Sequence, residues 1–145
     1  MSKKVFYGQN RHTIDPKGRA IFPAKYREKL GDVFYITRGL QSCLFVYPRD
    51  EWLKFEEKLK ALPDSTGGAI QRYFFNNTEE VSFDKQGRVL IPGHLRDFAG
   101  LSKDIVIAGV SSKIEIWDAQ KFDELNTMDN MSPDEISAQM ELLGL

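Results

Sequence analysis

An internal repeat constrains the fold of this chain more than any other feature. Asp15-Pro16-Lys17-Gly18-Arg19 recurs 69 residues later as Asp84-Lys85-Gln86-Gly87-Arg88. Each copy is followed by an apolar run, a proline, a second arginine and a glycine at matching positions: Pro23, Arg27 and Gly31, then Pro92, Arg96 and Gly100. Self-similarity at a fixed offset is typical of a duplicated supersecondary unit. We therefore expect two equivalent halves.

Each copy of the five-residue motif fits a tight turn between two strands. An aspartate at the first position accepts hydrogen bonds from backbone N–H groups two residues on, and Pro16 pre-sets the next φ. Gly18 and Gly87 suit the left-handed position of a three-residue hairpin loop. Apolar residues flank both turns and predict strands. Arg19 and Arg88 should therefore stand at hairpin tips, each held by its aspartate.

An ordinary turn with a surface ion pair is the alternative interpretation of a single motif. Such a pair stabilises a protein by only about 0–1 kcal/mol. The repeat favours a function instead, because the turn itself needs only the aspartate and the glycine. An arginine nevertheless follows the glycine in both copies. The turn alone therefore leaves Arg19 and Arg88 unexplained.

The rest of each half is predicted as a short helix, a second β-hairpin and a longer helix. Apolar residues at spacings of three and four predict a helix over 48–62. A connecting segment follows at 64–76, with a linker at 64–68 and a helical, apolar-rich part at 69–75. In the second half the register slips by one residue, which a loop insertion explains. Ser132-Pro133-Asp134-Glu135 predicts a capped terminal helix.

Neither half is large enough to bury much apolar surface alone. We therefore predict an α+β protein whose halves interlock around a pseudo-twofold axis, with the two turns at equivalent ends. The predicted boundaries are a first repeat at 5–63, the connecting segment at 64–76, a second repeat at 77–125 and a tail with a short helix at 126–145.

Charge is divided unequally between the two halves. Residues 1–62 hold 13 Lys and Arg against 7 Asp and Glu, whereas residues 63–145 hold 7 against 14. Their net charges are therefore +6 and −7, and a basic face in the first half would attract a polyanion. Chance drift of charge, or a basic face that meets an acidic face of a neighbouring subunit, are the alternatives.

The composition argues against an enzyme. His12 and His94 are the only histidines, and neither has a carboxylate partner at helical spacing. Cys43 is the only cysteine, it lies in an apolar run without activating neighbours, and it permits no disulfide within the chain. No phosphate-loop glycine pattern or metal-ligand cluster occurs. We expect no catalysis, no cofactor, and a reducing cytoplasmic location without membrane insertion.

The duplicated Asp-x-x-x-Arg motif, with a proline four residues past each arginine, resembles the MraZ family. The resemblance spans roughly residues 5–125 and includes three further stretches: Thr37-Arg38-Gly39-Leu40, Cys43-Leu44-Phe45-Val46-Tyr47-Pro48 and Ile114-Glu115-Ile116-Trp117. It implies two tandem SpoVT/AbrB-like swapped-hairpin half-domains, interlocked as a pseudo-twofold β-barrel with flanking helices. The chain departs from the family at Ser2-Lys3-Lys4 and in the connection at 65–68.

The resemblance also implies a function. It points to a sequence-specific DNA-binding transcriptional regulator, acting on promoter direct repeats upstream of its own operon in the division and cell-wall gene cluster. It further implies a ring-like homo-oligomer in the cytoplasm, associated with the nucleoid. The DNA-binding motif falls on Asp15 and Arg19, and on Asp84 and Arg88.

We hypothesise that the Arg19 tip enters the major groove, where arginine bonds bidentately to guanine. Asp15 would hold the guanidinium, while Lys17 and Arg11 would meet phosphates and set the salt dependence of binding. Whether the second motif contacts DNA as the first does is left open.

Two further alternatives remain at this point. Arg27 and Arg96 would either touch phosphate or bond neighbouring carbonyls, and we favour the structural role. An antitoxin-like protein-interaction module built on the same half-domain is the alternative function. Such modules carry one copy and a long disordered tail, whereas this chain has two copies and a short capped helix.

Overall fold

The computed structural model describes residues 5–128 and 131–145, so the basic segment at 1–4 lies outside it. Eight strands are formed by the described residues: β1 Gln9–Thr13, β2 Arg19–Ile21, β3 Phe34–Arg38, β4 Leu44–Pro48, β5 Glu79–Val81, β6 Arg88–Leu90, β7 Asp104–Val110 and β8 Lys113–Asp118. Six helices accompany them: α1 Ala24–Leu30, α2 Arg49–Lys60, α3 Asp64–Phe75, α4 Gly93–Ala99, α5 Ala119–Met128 and α6 Pro133–Leu142. The mixed α+β class is confirmed.

Both halves repeat the same order of elements. Two strands, a short helix, two strands and a longer helix run from β1 to α2, and again from β5 to α5. The helix α3 connects them, and it begins at Asp64, so the predicted linker at 64–68 is helical. Each short helix follows a proline and ends at a glycine with positive φ, Gly31 at +75° and Gly100 at +60°. Glycine adopts this conformation without steric cost and stops the helix there.

The strand pairing crosses from one half to the other. The six-stranded sheet has the order β1-β7-β8-β4-β3-β5, so β1 lies against the second half and β5 against the first. Because β1 is equivalent to β5, β7 to β3 and β8 to β4, this order is symmetric about its centre. There Phe45 of β4 is paired with its own counterpart, Glu115 of β8. The predicted pseudo-twofold relation is thus present in the sheet.

The one-residue slip in register has two components. Phe34 pairs with Val81 and Ile105 pairs with His12, so Ile105 is the counterpart of Phe34 at an offset of 71. The loop before β7 is therefore longer by two residues, whereas the β7–β8 turn is shorter by one. The net offset of 70 at β4 and β8 agrees with the predicted slip, which the sequence alone reduced to a single insertion.

A second, two-stranded sheet consists of β2 and β6, which we call the β2–β6 ribbon. Its central pair is Ala20 with Val89, again two equivalent residues. Both side chains are buried, at 1% exposure each. The ribbon and the six-stranded sheet are separate, and the larger sheet ends at β1 and β5 without closing. The predicted β-barrel is therefore not formed, because the β2–β6 ribbon packs beside an open sheet.

The six-stranded sheet is buried on both faces. On one face, inward side chains of the sheet pack with those of the β2–β6 ribbon, α1 and α4, including Phe22, Tyr26, Ile91 and Leu95. On the other face, α2 and α5 cover a more aromatic cluster: Cys43, Phe45, Tyr47, Trp52, Val106, Ala108, Trp117 and Phe122. Alternate residues of β4 therefore enter different clusters. Burial of this kind is the main favourable contribution to folding.

The tail carries the predicted helix. Ser132 accepts a hydrogen bond from the Glu135 backbone N–H, and the Glu135 side chain accepts from the Ser132 backbone N–H. This reciprocal capping box satisfies two backbone donors at the start of α6. No residue of α6 is buried, and Ile136, Met140 and Leu143 are 43–72% exposed. Its apolar side chains therefore do not join either core cluster.

Candidate nucleic-acid interface

The first motif folds as a tight turn that Asp15 closes through its backbone and its side chain. The Gly18 N–H donates to the Asp15 carbonyl at 2.9 Å, and the Asp15 N–H donates to the Arg19 carbonyl at 2.8 Å. Asp15 Oδ1 accepts from the backbone N–H groups of Lys17 and Arg19, both at 2.9 Å. Asp15 Oδ2 accepts from Arg19 Nε at 2.7 Å. One carboxylate thus fixes the turn and the guanidinium together.

The second motif repeats this geometry bond for bond. Asp84 Oδ1 accepts from the backbone N–H groups of Gln86 and Arg88, both at 2.9 Å, and Oδ2 accepts from Arg88 Nε at 2.8 Å. The two turn glycines have φ values of +87° for Gly18 and +77° for Gly87. The predicted hairpin turns, with left-handed glycines and an aspartate that orients the arginine, are both present.

The two turns differ at one side chain. Gln86 Oε1 accepts a hydrogen bond from Arg88 Nη2 at 2.8 Å. Lys17 occupies the equivalent position in the first turn, and an ammonium group cannot accept a hydrogen bond. Within the described part of the chain, the only hydrogen bond of the Arg19 guanidinium is that from Nε to Asp15. Both Nη groups of Arg19 are thus available to a ligand.

The turns lower the pKa of both aspartates. For Asp15 and Asp84 the largest cause is the hydrogen bond from the backbone N–H of the following arginine, and the guanidinium adds to it. Hydrogen bonds to the charged form of a carboxyl stabilise that form. Both aspartates are therefore ionised at neutral pH, and each pairs with its arginine across the whole physiological range.

The β2–β6 ribbon brings the two arginines onto one surface. Arg19 is paired with Leu90, and Arg88 with Ile21, on the face opposite the buried Ala20–Val89 pair. Because side chains alternate along a strand, these four project together. Ile21 is 48% exposed and Leu90 55% exposed. The exposed face of the β2–β6 ribbon is therefore a quartet of two arginines and two aliphatic side chains.

A cavity of about 290 Å³ opens at this face. It is lined by residues of β1, both turns and the β2–β6 ribbon: His12, Thr13, Asp15, Arg19, Ile21 and Arg88. The structure thus brings together Arg19 and Arg88, which are 69 residues apart in the sequence. Their side chains are 29% and 26% exposed, so both are reachable from solvent yet partly shielded from it.

Arg27 and Arg96 support the turns of the opposite halves. Arg27 Nη1 donates to the Phe22 carbonyl at 2.6 Å, and Arg96 Nε donates to the Ile91 carbonyl at 2.9 Å. Each guanidinium also lies directly against the turn glycine of the other half. A Cβ atom at Gly18 would be 2.7 Å from Arg96 Cζ, and one at Gly87 would be 3.0 Å from Arg27 Cζ. The geometry favours the structural role of this arginine pair.

The two other predicted phosphate contacts are placed differently. Lys17 is exposed at the first turn, adjacent to the β2–β6 ribbon. Arg11 lies in β1 and forms an ion pair with Asp123 of α5, with Nη2 to Oδ1 at 2.6 Å and Nη1 to Oδ2 at 3.3 Å. The structure therefore groups Lys17 with the motif residues, whereas Arg11 is paired elsewhere and does not line the cavity.

Ile21 and Leu90 are site residues that sequence reasoning missed. Both lie in short apolar runs that predict buried strands, Ala20-Ile21-Phe22 and Val89-Leu90-Ile91. The signal that could have found them is alternation, because the middle residue of a three-residue strand points away from its neighbours. The flanking residues of both runs are buried and the middle ones are exposed.

The histidines and the cysteine do not form a reactive site. Burial lowers the pKa of His12, and His94 contacts the carboxylate of Glu79 across the fold. Burial also raises the pKa of the Cys43 thiol to about 12, where it is a poor nucleophile at neutral pH. Among residues 5–128 and 131–145, no group of three or more His, Cys, Asp or Glu side chains could hold a metal ion.

None of the helices in the described ranges combines the length and the apolarity that crossing a membrane requires.

Comparison with known proteins gives a family match over both halves. The family model described as "MraZ protein, putative antitoxin-like" matches residues 5–69 and 74–143. A protein from Lachnoclostridium phytofermentans is 51% identical over 142 residues, covering 97% of this chain and 99% of that protein. One from Acetivibrio thermocellus is 47% identical over 143 residues, covering 97% and 100%. Both relatives are named "Transcriptional regulator MraZ". The chain therefore belongs to the MraZ family.

Proposed function

We propose that this protein is a transcriptional regulator that binds double-stranded DNA through the exposed face of the β2–β6 ribbon. The observation that carries the proposal is the pair of aspartate-held arginines on one exposed, two-stranded surface. The names of the relatives support a role in transcription. The B-DNA major groove is about 12 Å wide and admits a two-stranded β-ribbon.

The chemistry of the quartet suits base edges. A guanidinium oriented through Nε presents its Nη groups, which can donate to both O6 and N7 of guanine. The aliphatic side chains of Ile21 and Leu90 offer apolar contact to thymine methyl groups. Lys17 at the tip is free to approach a phosphate and would position the ribbon without reading sequence. We thus expect the bound sites to contain guanine next to thymine.

We propose that the sites are direct repeats in the promoter of the protein's own operon, in the division and cell-wall gene cluster. One ribbon offers few base contacts, so a single subunit would bind a single site weakly. An oligomer that holds several ribbons on one side would bind a row of repeats by avidity. The protein would then act in the cytoplasm, associated with the nucleoid.

Self-association into a ring-like homo-oligomer is the second part of this proposal. The helix α6 supports it, because Ile136, Met140 and Leu143 form an apolar stripe that is exposed in the single chain. The exposed Leu142 and Leu145 extend it. Sedimentation velocity should give a mass several times that of the 16.6 kDa chain. A monomer at micromolar concentration would contradict the ring and leave DNA binding by the ribbon to be judged separately.

We further propose that each half is an AbrB-like swapped-hairpin half-domain. The exchange of β1 and β5 between the halves supports this assignment, as does the symmetric β2–β6 ribbon. In such an arrangement the two hairpin tips belong to one rigid unit. Their separation is then determined by the body of the protein.

The test is fluorescence anisotropy with a duplex from the region upstream of the protein's own gene, against a scrambled duplex, in rising salt. The native duplex should bind more tightly, and the difference should persist as salt rises, because base contacts are less screened than phosphate contacts. Arg19→Ala should abolish the difference. Arg49→Ala, which removes a guanidinium from α2 outside the ribbon, is the matched control and should retain it.

A second duplex arm tests the aliphatic contacts. Replacing thymine by uracil removes the methyl group without changing the hydrogen-bonding edge. The wild-type protein should bind the uracil duplex more weakly, and Ile21→Ser should show a smaller difference between the two duplexes. Equal binding of native and scrambled duplexes by the wild-type protein would contradict the proposal.

An antitoxin-like protein-interaction module is the second candidate function. The description of the family model contains the words "antitoxin-like", and α6 presents apolar side chains that a partner could cover. This candidate predicts no preference for the native duplex and no effect of Arg19→Ala on its activity. The anisotropy experiment therefore distinguishes the two functions.

A further inference from the structure

We propose that the two hairpin tips of one chain have different roles, with Arg19 reading the base and Arg88 held away from base reading by Gln86. This inference rests on the proposed function and deepens it. Its origin is the single chemical difference between two turns that otherwise match bond for bond: Gln86 Oε1 accepts from Arg88 Nη2 at 2.8 Å, and Lys17 at the equivalent position cannot accept.

The difference concerns the donors that a guanine would need. A bidentate contact to O6 and N7 uses two N–H groups of the guanidinium in a fixed fork. In the first turn Nε is bonded to Asp15, and both Nη groups are available. In the second turn Nε is bonded to Asp84 and Nη2 to Gln86. Arg88 would have to break a hydrogen bond to present both Nη groups, whereas Arg19 would not.

Net charge does not explain a difference between the tips. Each turn carries one aspartate, one lysine and one arginine, because Lys85 in the second turn takes the place of Pro16 in the first. The two arginines are also similarly exposed, at 29% and 26%. Nonspecific attraction to phosphate should therefore be similar at the two tips. The acceptor at the Lys17 and Gln86 position is what remains to distinguish them.

The position also gives a matched pair of variants. Lys17→Gln and Lys17→Met both remove one positive charge, but only the first introduces an acceptor beside Arg19. Gln86→Met removes the acceptor beside Arg88 without changing charge. Lys17 and Gln86 are exposed, so none of these variants should disturb folding, which thermal unfolding of each would verify.

The experiment compares affinities for two duplexes in the same salt. One is the native duplex from upstream of the gene, and the other carries 7-deazaguanine at every guanine, which removes the N7 acceptor. The measured quantity is the ratio of the two dissociation constants for each variant. For the wild-type protein we expect a ratio on the order of tenfold, the usual size of one bidentate contact.

The variants should then separate clearly. Arg19→Ala should bring the ratio close to one, whereas Arg88→Ala should weaken binding to both duplexes and retain the ratio. Lys17→Gln should reduce the ratio severalfold, while Lys17→Met should weaken both affinities equally and keep it. Gln86→Met should raise the ratio, because it releases Nη2 of Arg88.

Two results would overturn the inference while the proposed function survives. One is an equal loss of the ratio in Arg19→Ala and Arg88→Ala, which would make the tips equivalent readers. The other is the same ratio in Lys17→Gln and Lys17→Met, which would leave the acceptor without effect. If the wild-type ratio is itself one and scrambled DNA binds equally well, the proposed function fails and the inference fails with it.

Discussion

At the residue scale, a single carboxylate organises each candidate DNA-binding tip. Asp15 accepts two backbone hydrogen bonds with one oxygen and a guanidinium hydrogen bond with the other. The turn and the arginine are therefore ordered by the same group, before any ligand arrives. Such preorganisation reduces the entropy that a long side chain loses on binding.

The turn glycine gives the first prediction. Gly18 has a φ of +87°, and a Cβ there would lie 2.7 Å from Arg96 Cζ. Gly18→Ala should lower the free energy of unfolding by about 1–2 kcal/mol from the backbone conformation alone, and further because Arg96 must move. Gly93→Ala is the control, since a Cβ there would lie 3.5 Å from the same guanidinium in a helix. Urea denaturation should show the loss for Gly18→Ala only.

The lowered pKa of Asp15 gives the second prediction, with a definite sign. Because the folded state lowers this pKa below its ordinary value of 3.8, the carboxylate stabilises the protein above that pH. The stabilisation is lost as pH falls through the lowered pKa. The melting temperature of the wild-type protein should therefore fall more steeply below about pH 4 than that of Asp15→Asn. Parallel curves for the two proteins would contradict the role of the charge.

At the element scale, the two halves support each other's turns. The Gly18 carbonyl accepts from the Ile91 N–H at 2.9 Å, and the Gly87 carbonyl accepts from the Phe22 N–H at 3.4 Å. Arg96 and Arg27 then lie against the same two glycines from below. Each hairpin tip is thus built on the strand and the arginine of the other half.

The arginine pair gives the third prediction. Arg27→Ala leaves the partly buried Phe22 carbonyl without its donor, so the free energy of unfolding should fall by about 1–3 kcal/mol. Because this arginine is structural, the slope of log affinity against log salt should stay the same. A phosphate contact would instead change that slope by about one. Anisotropy titrations at several salt concentrations separate the two roles.

Local features were predictable from the sequence, because they depend on neighbours in the chain. The turns, the proline-led short helices and the capping box at Ser132 all have their determinants within four residues. The pairing of β1 with β7 and the ion pair of Arg11 with Asp123 join positions about a hundred residues apart. No local pattern encodes such contacts, so the open sheet and the placement of Arg11 were not foreseen.

At the scale of the whole molecule, neither half contains a complete sheet. The strand β1 pairs only with β7, and β5 only with β3, among the strands described. Removing one half would therefore expose an unpaired edge and much of the shared core on the other. Edge strands of this kind readily pair with another chain.

The fourth prediction follows from this exchange. A fragment of residues 1–62 and a fragment of residues 63–145, produced separately, should be unfolded or self-associated. Mixed at equal concentration, they should recover the far-ultraviolet circular dichroism and the cooperative melting of the intact chain. A fragment that folds alone as a stable monomer would show that the exchanged strands are dispensable.

The exchange of β1 also has a consequence for synthesis on the ribosome. Thr13 is paired with Asp104 and Gln9 with Ala108, so β1 must wait for β7 to be translated. At elongation rates of about 5–20 residues per second, the wait lasts roughly 5–20 seconds. During it the aromatic core of the first half lacks its covering strands. The nascent chain is therefore exposed to capture by chaperones, or by a neighbouring nascent chain on the same messenger.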